Sequence, residues 1–195
     1  YGHSQPYSES RTSRYMHREA VEALPALLAE LGVERPLLFG HSDGASIALI
    51  FAGAFPDVPA GVIAMAPHEF VEEETLAGIS AAKAAWTASD LPHKLARHHA
   101  DAPRVFAEWN DTWLAPAFRD WSIEEYLPAI RCPVLAIQGE DDEYATMRQI
   151  DIIAEQVSDT MLLKLSHCGH SPHRDQPALV LWAADTFVRR VAGRP

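Results

Sequence analysis

The sequence predicts an α/β fold: a mostly parallel sheet of about four strands, covered on both faces, with a helical insertion in its middle. Three observations carry this prediction. Short continuous apolar runs recur at 36–39, 61–66, 133–138 and 161–165, and stretches of helical length separate them. Between residues 67 and 130 the strand-like runs stop, and four of the five tryptophans fall there: Trp86, Trp109, Trp113 and Trp121. A Gly-x-Ser-x-Gly pentapeptide, residues 40–44, joins the first apolar run to a helix-like stretch.

Taken in order, residues 15–31 carry apolar positions at Ala20, Leu24, Leu27 (or Leu28) and Leu31, closed by Gly32 as a helix stop. Pro25 lies inside that stripe, so the helix is either kinked or restarts with proline in its first turn. The strand at 36–39 leads through the pentapeptide into a helix over 44–55, ended by Pro56. Gly61-Val62-Ile63-Ala64-Met65-Ala66 is the second strand. The insertion reads as short helices at about 71–87, 91–99, 103–114 and 122–129. Its rings give it a core of its own and line whatever lies beneath it. The third strand, Pro133 to Gln138, ends at Gly139 before an acidic loop. A helix over 146–157 shows Met147, Ile150, Ile153 and Val157 on one face, and Met161 to Leu165 is the last strand. A loop with three histidines precedes a terminal helix over 177–191, apolar at Val180, Ala184, Phe187 and Val191. The domain division follows: a core of 1–66 and 131–195, and a helical cap of 67–130.

The bulk numbers narrow the function classes. A net charge of -11 disfavours nucleic acid and anionic membrane as partners and suits a small-molecule substrate. No run of about 18 apolar residues occurs, and residues 1–14 are polar, so neither a spanning helix nor a signal peptide is expected. Two cysteines, Cys132 and Cys168, are too few for a disulfide framework and point to a reducing, cytoplasmic setting.

Strand, Gly-x-Ser-x-Gly, helix is the context of a nucleophile elbow. The serine sits on a turn too tight for ordinary neighbours, glycines at 40 and 44 relieve the crowding, and the helix aims its positive end at developing negative charge. Ser42 is therefore the candidate nucleophile. A serine hydroxyl needs a base, and the base needs an orienting group. His170, in the loop after the last strand, is the candidate base, and Asp142, directly after the preceding strand, the candidate acid. Loops at the C-terminal ends of parallel strands share one side of the sheet, which brings the three within reach. Asp141 and Glu143 flank the acid as solvated alternatives. His167, His170 and His173 with Cys168 offer a metal site instead, but a spacing of three in an irregular loop fixes no ligand geometry and leaves the elbow unexplained. Neither a metal nor a cofactor is expected. His41 is expected to be structural, pointing away from Ser42, and Cys168 to be a small packing residue.

On these stretches the chain resembles an α/β-hydrolase fold enzyme, in the branch of cap-bearing esterases and carbon–carbon bond hydrolases. The matching segments are GHSDGASIAL at the elbow, PVLAIQGEDDEY at the acid and GHSPHRDQP at the base. The resemblance implies an acid three residues after the strand-ending glycine, hence Asp142. Serine at 42 argues against the dehalogenases and epoxide hydrolases of this fold, which carry aspartate there. The oxyanion donors are the backbone N–H of Asp43 and a second from an early His-Gly-like loop, to which nothing in this chain corresponds. Tyr1-Gly2-His3-Ser4 resembles the turn after the family's fourth strand. Roughly the first four strands are then expected to be missing, because the sequence is partial or because another polypeptide completes the sheet. The first is preferred, since natural sheets avoid exposing a flat apolar edge. The strand at 36–39 becomes that edge, and self-association through it is expected.

His68, directly after a strand, and Trp109 and Trp113, four apart on one helical face, are the candidate pocket residues. Glu72, Glu73 and Glu74 either meet a substrate amine or form a solvated helix start. The expected function is a serine hydrolase acting through an acyl-enzyme on a small ester, thioester or amide. Two alternatives stand beside it: a carbon–carbon bond hydrolase of the same fold, and an inactive binding module lacking a complete oxyanion hole.

Overall fold

Strands β1 (Leu37–His41), β2 (Gly61–Met65), β3 (Val134–Gly139) and β4 (Thr160–Leu165) form one parallel sheet in the order β1-β2-β3-β4. The register pairs His41 with Met65 and Met65 with Ile137, so the strand ends that carry the three motifs finish on one rim. These coordinates are a computed structural model describing Gly2 and residues 11–193.

The apolar runs are continuous because both faces are covered. Val62, Ala64, Val134 and Ala136 face one core cluster, and the alternate residues Ile63, Met65, Leu135 and Ile137 face the other. The first cluster is closed by helix α3 (Asp43–Ala54) and helix α7 (Arg148–Gln156), the second by the terminal helix α9 (Pro177–Ala192). In α9, Val180, Phe187 and Val191 are buried as the stripe predicts, with Ala183 beside them. Each such aliphatic side chain contributes about 1.5–3 kcal/mol when fully buried.

The first helix departs from the simple stripe. It runs from α1 (Tyr15–Arg18) through a π-helical turn (Glu19–Ala23) into α2 (Leu24–Leu31), with Pro25 in the first turn of α2. The backbone stays right-handed helical across the junction, so the helix continues through Pro25 by way of a π turn rather than breaking and restarting there. The π turn also shifts the phase. Met16 and Ala20 are fully buried and Leu24 and Leu28 partly so, whereas Leu27 and Leu31 face outward at 51% and 65% exposure.

β1 is an edge strand, and Phe39 on it is 54% exposed. Between β2 and β3 come α4 (Glu73–Ala88), α5 (Leu91–Ala96), α6 (Ala102–Trp113) and two 3-10 turns, Pro116–Phe118 and Glu124–Ala129. An antiparallel bridge from Phe70 to Ser122 closes the base of this insertion. Trp86 stacks on Phe106 within the insertion, whereas Trp121 stacks on Phe118 and both join the core cluster shared with Tyr15 and α3. The short helix α8 (Pro172–Asp175) follows the base loop.

Glu69, at the start of the insertion, is fully buried, and neither carboxyl oxygen has a hydrogen-bond partner among the described residues. Burial pushes its pKa well above the usual carboxylate range, and the nearby Glu72 and Glu124 add to the rise. The sign follows from linkage: between the unfolded and folded pKa values the unfolded chain has lost the proton and the folded chain has kept it. Stability present below the unfolded pKa therefore falls as pH rises through that window. Thermal melts should show Tm of Glu69→Gln exceeding the wild type at pH 8, with the gap closing toward pH 4; a constant gap contradicts the assignment.

Candidate active site

Ser42 stands between β1 and α3 with φ 54°, a left-handed conformation that costs about 1–3 kcal/mol in a residue other than glycine. The turn is held from outside: Ser42 N–H donates to the Met65 carbonyl of β2 at 2.9 Å. A Cβ added at Gly40 would strike the backbone of Gly44 and Ala45, so glycine is required there. The crowding expected at Gly44 is not found; an added Cβ meets nothing within 4 Å. The Ser42 side chain does not cap α3, which leaves its hydroxyl free.

That hydroxyl lies 3.0 Å from His170 Nε2. His170 Nδ1 lies 2.9 Å from both carboxyl oxygens of Asp142, whose side chain is 0% exposed. A carboxylate only accepts, so Nδ1 carries the proton and Nε2 presents its lone pair to the serine. Asp142 is itself fixed, accepting from Gln138 Nε2 at 2.8 Å and from the Tyr144 backbone N–H at 2.9 Å. Asp141 and Glu143 take other parts. Asp141 N–H donates to the Cys168 carbonyl, and the Glu143 carboxylate accepts the backbone N–H of His170 at 3.1 Å. Gly139 lets the two loops touch, since an added Cβ would overlap the Cys168 carbonyl.

A cavity of about 220 Å³ opens onto Ser42 and His170. His68, Trp109 and Trp113 all line it, together with Ile79 and Tyr144. His68 is clamped through its backbone by Ser46 Oγ, at 3.0 and 2.7 Å, and packs edge-on against Trp113. Burial, and then the neighbouring His170, lower its pKa to about 4, so the imidazole is neutral at pH 7. Glu72 is committed elsewhere. It forms a capping box with Thr75 and accepts from Thr146 N–H, Thr146 Oγ1 and Gln149 Nε2, while Glu73 and Glu74 are exposed.

Several residues at the site carried no local signal. His41 was expected to turn away from the nucleophile; its Nε2 instead donates to the His170 carbonyl at 2.7 Å, and its ring packs 5.1 Å from that of His170. Tyr15 hydrogen-bonds the buried Asp43 carboxylate and accepts from Trp113 Nε1, a network no spacing rule predicts. Gln138 is the exception, a polar residue in an apolar strand four positions before the acid. Cys168 is buried, and burial with nearby carboxylates raises its thiol pKa to about 11, which suits packing rather than nucleophilic attack.

The backbone N–H of Asp43 belongs to the first turn of α3, whose donors have no carbonyl partner within the helix. The Tyr1-Gly2-His3-Ser4 turn, Gly2 apart, lies outside the described residues. No group of three metal-ligating side chains is arranged to hold an ion among the described residues.

The sequence profile of the Alpha/beta hydrolase family matches residues 1–184. The chain belongs to that family. Within it, the chain is 24% identical to serine hydrolase BPHL of Mus musculus over 205 residues, covering 98% of this chain and 65% of that protein. It is 25% identical to serine hydrolase BPHL of Homo sapiens over 181 residues, covering 89% and 61%. The chain thus spans under two thirds of the length of these curated relatives. An esterase from Thermogutta terrifontis superposes with a TM-score of 0.66 at 23% identity, covering 98% of this chain and 77% of that one. A meta-cleavage product hydrolase from Pseudomonas fluorescens gives a TM-score of 0.71 at 14% identity, covering 96% and 75%. Both solved structures share the alpha/beta hydrolase fold. No helix among the described residues is long and apolar enough to cross a membrane.

Proposed function

We propose that this alpha/beta hydrolase cleaves a small ester, thioester or amide through an acyl-enzyme on Ser42. The observation that carries the reading is the chain of contacts from Ser42 Oγ through His170 to the buried Asp142. Ser42 Oγ attacks the carbonyl carbon while His170 Nε2 takes its proton, and the carbonyl π pair moves onto oxygen beside the Asp43 N–H. The intermediate collapses, the bond to the leaving group breaks, and the leaving group receives the proton from Nε2. Water then gives a proton to His170, adds to the acyl carbon and releases the acid, and Ser42 recovers its proton. Asp142 keeps Nδ1 protonated throughout.

The cavity favours a short acyl group with an apolar or aromatic body. At about 220 Å³, with Ile79, Trp109, Trp113 and Tyr144 in its walls, it suits apolar groups, and no lysine or arginine is among its described lining residues. That last point weighs against anionic substrates. The likeness to a meta-cleavage product hydrolase supports a second reading, carbon–carbon bond hydrolysis with the same three residues. The insertion of residues 67–130 acts as a cap over the cavity in either case. Two free, buried cysteines suit a cytoplasmic setting.

A fluorophosphonate probe tests the proposal: labelling that disappears in Ser42→Ala supports it, and a chain left unlabelled is a binding module instead. The outer edge of β1, which pairs with no strand among the described residues, should also associate with further copies of the 195-residue chain, read by sedimentation. A monodisperse, cooperatively melting monomer contradicts that expectation.

A further inference from the structure

Acid and base come from neighbouring strands, whereas the nucleophile comes from the far side of the sheet. The loops after β3 and β4 are joined by main-chain bonds, Glu140 N–H to Leu165 O and Asp141 N–H to Cys168 O, both 2.9 Å. A side chain adds to this union, Glu143 accepting from His170 N–H, while Asp175 accepts from Gly169 N–H within the base loop itself. Ser42 follows β1, and β2 lies between it and the acid strand. Among the described residues, two hydrogen bonds cross from the elbow to the base loop. One is Ser42 Oγ to His170 Nε2, and the other is His41 Nε2 to the His170 carbonyl. The first is broken and remade as the proton moves. The second takes no part in the proton transfer.

We infer that His41 is a positioning residue, whose side chain holds the main chain of His170 at a fixed distance from the nucleophile throughout turnover. This rests on the hydrolase reading. The bond closes a ring of contacts: Ser42 Oγ, the His170 imidazole, the His170 main chain, the His41 side chain, and back along one peptide bond to Ser42. A carbonyl only accepts, so His41 Nε2 must carry a proton. Burial lowers the His41 pKa, and the nearby His170 and His173 oppose its protonation further. A neutral donor therefore fills the position, adding no positive charge beside the ring that must become imidazolium during reaction. Contacts at 5.1 and 5.0 Å with the rings of His170 and His173 wedge the His41 side chain in place.

The test separates the hydrogen bond from the ring. His41→Phe keeps the bulk and loses the donor, while His41→Gln keeps an N–H at comparable reach. On a small activated ester, His41→Phe is expected to lower kcat on the order of tenfold to a hundredfold with KM within about twofold, and His41→Gln to recover most of the loss. Equal activity in all three proteins, or a change confined to KM and shared by both variants, overturns the inference. If His41→Phe fails to melt cooperatively, His41→Asn, whose amide is too short to reach, takes its place with the same expectations. A chain unlabelled by fluorophosphonate defeats the hydrolase reading alone, because imidazole nitrogen NMR reads the tie independently. A His41 ring protonated at Nε2 at neutral pH supports the tie, and protonation at Nδ1 overturns it.

Discussion

Ser42→Ala is expected to abolish covalent labelling and to lower kcat on a small activated ester by about a million-fold, since the members of such a unit act together rather than additively. The residual rate would come from the oxyanion donor and from binding alone. KM should change little, because the hydroxyl is a small part of a cavity walled mainly by Ile79, Trp109, Trp113 and Tyr144. Stability should hold or improve. Ser42 Oγ caps no helix, and its hydrogen bond is to His170, which is fixed independently by Asp142 and His41. A melt close to wild type with kcat lowered by about a million-fold is the expected pair of results; retention of more than about a tenth of the rate would remove Ser42 from the chemistry.

The second large effect is expected from Asp142→Asn, at about 10⁴-fold in kcat. Both oxygens of Asp142 accept protein donors, Tyr144 N–H on Oδ1 and Gln138 Nε2 on Oδ2, and His170 Nδ1 lies 2.9 Å from each. An asparagine has one oxygen to offer where the aspartate has two. With its oxygen kept on the Tyr144 N–H, its NH₂ faces Gln138, whose amide can rotate because Gln138 Oε1 is buried without a partner among the described residues. The fold therefore absorbs the change. The same NH₂ faces Nδ1, which must then lose its proton and accept, and the proton moves to Nε2. In that tautomer His170 donates toward Ser42 and cannot take the serine proton. Kinetics and a melt together separate this from misfolding: activity falls steeply while Tm shifts by a few degrees at most. A comparable loss of both would mean that Asp142 is structural.

The strand runs and three motifs were legible because each is local. A parallel sheet buried on both faces demands unbroken apolar runs such as Val62 to Met65, and loops after its strands share a rim. Of the three adjacent carboxyls, Asp142, preferred by family likeness, is the one whose side chain meets His170 Nδ1; Asp141 and Glu143 differ from it in where the chain turns, which spacing does not encode. In the first helix the stripe left Leu27 and Leu28 open, and packing selects Leu28, while Leu31, in the last turn, faces outward. The acidic helix start at Glu72 looked like solvated surface or an amine site. In three dimensions its carboxylate joins α4 to the loop before α7 across 74 residues of chain.

From residue order alone came the α/β architecture and the shared rim of the loops that carry Ser42, the acidic run 140–143 and His170, since patterning and connectivity suffice to put strand ends on one side; the edge position of Leu37 to His41 and the preference for Asp142 came from family likeness. Tertiary packing alone settled which way His41 turns, that Tyr15 reaches Asp43, that Gln138 braces the acid, and that His68 stands neutral in the cavity wall. Those contacts join residues up to 129 positions apart. Their directions depend on side-chain rotamers chosen only when two distant loops meet, and no local periodicity records that meeting.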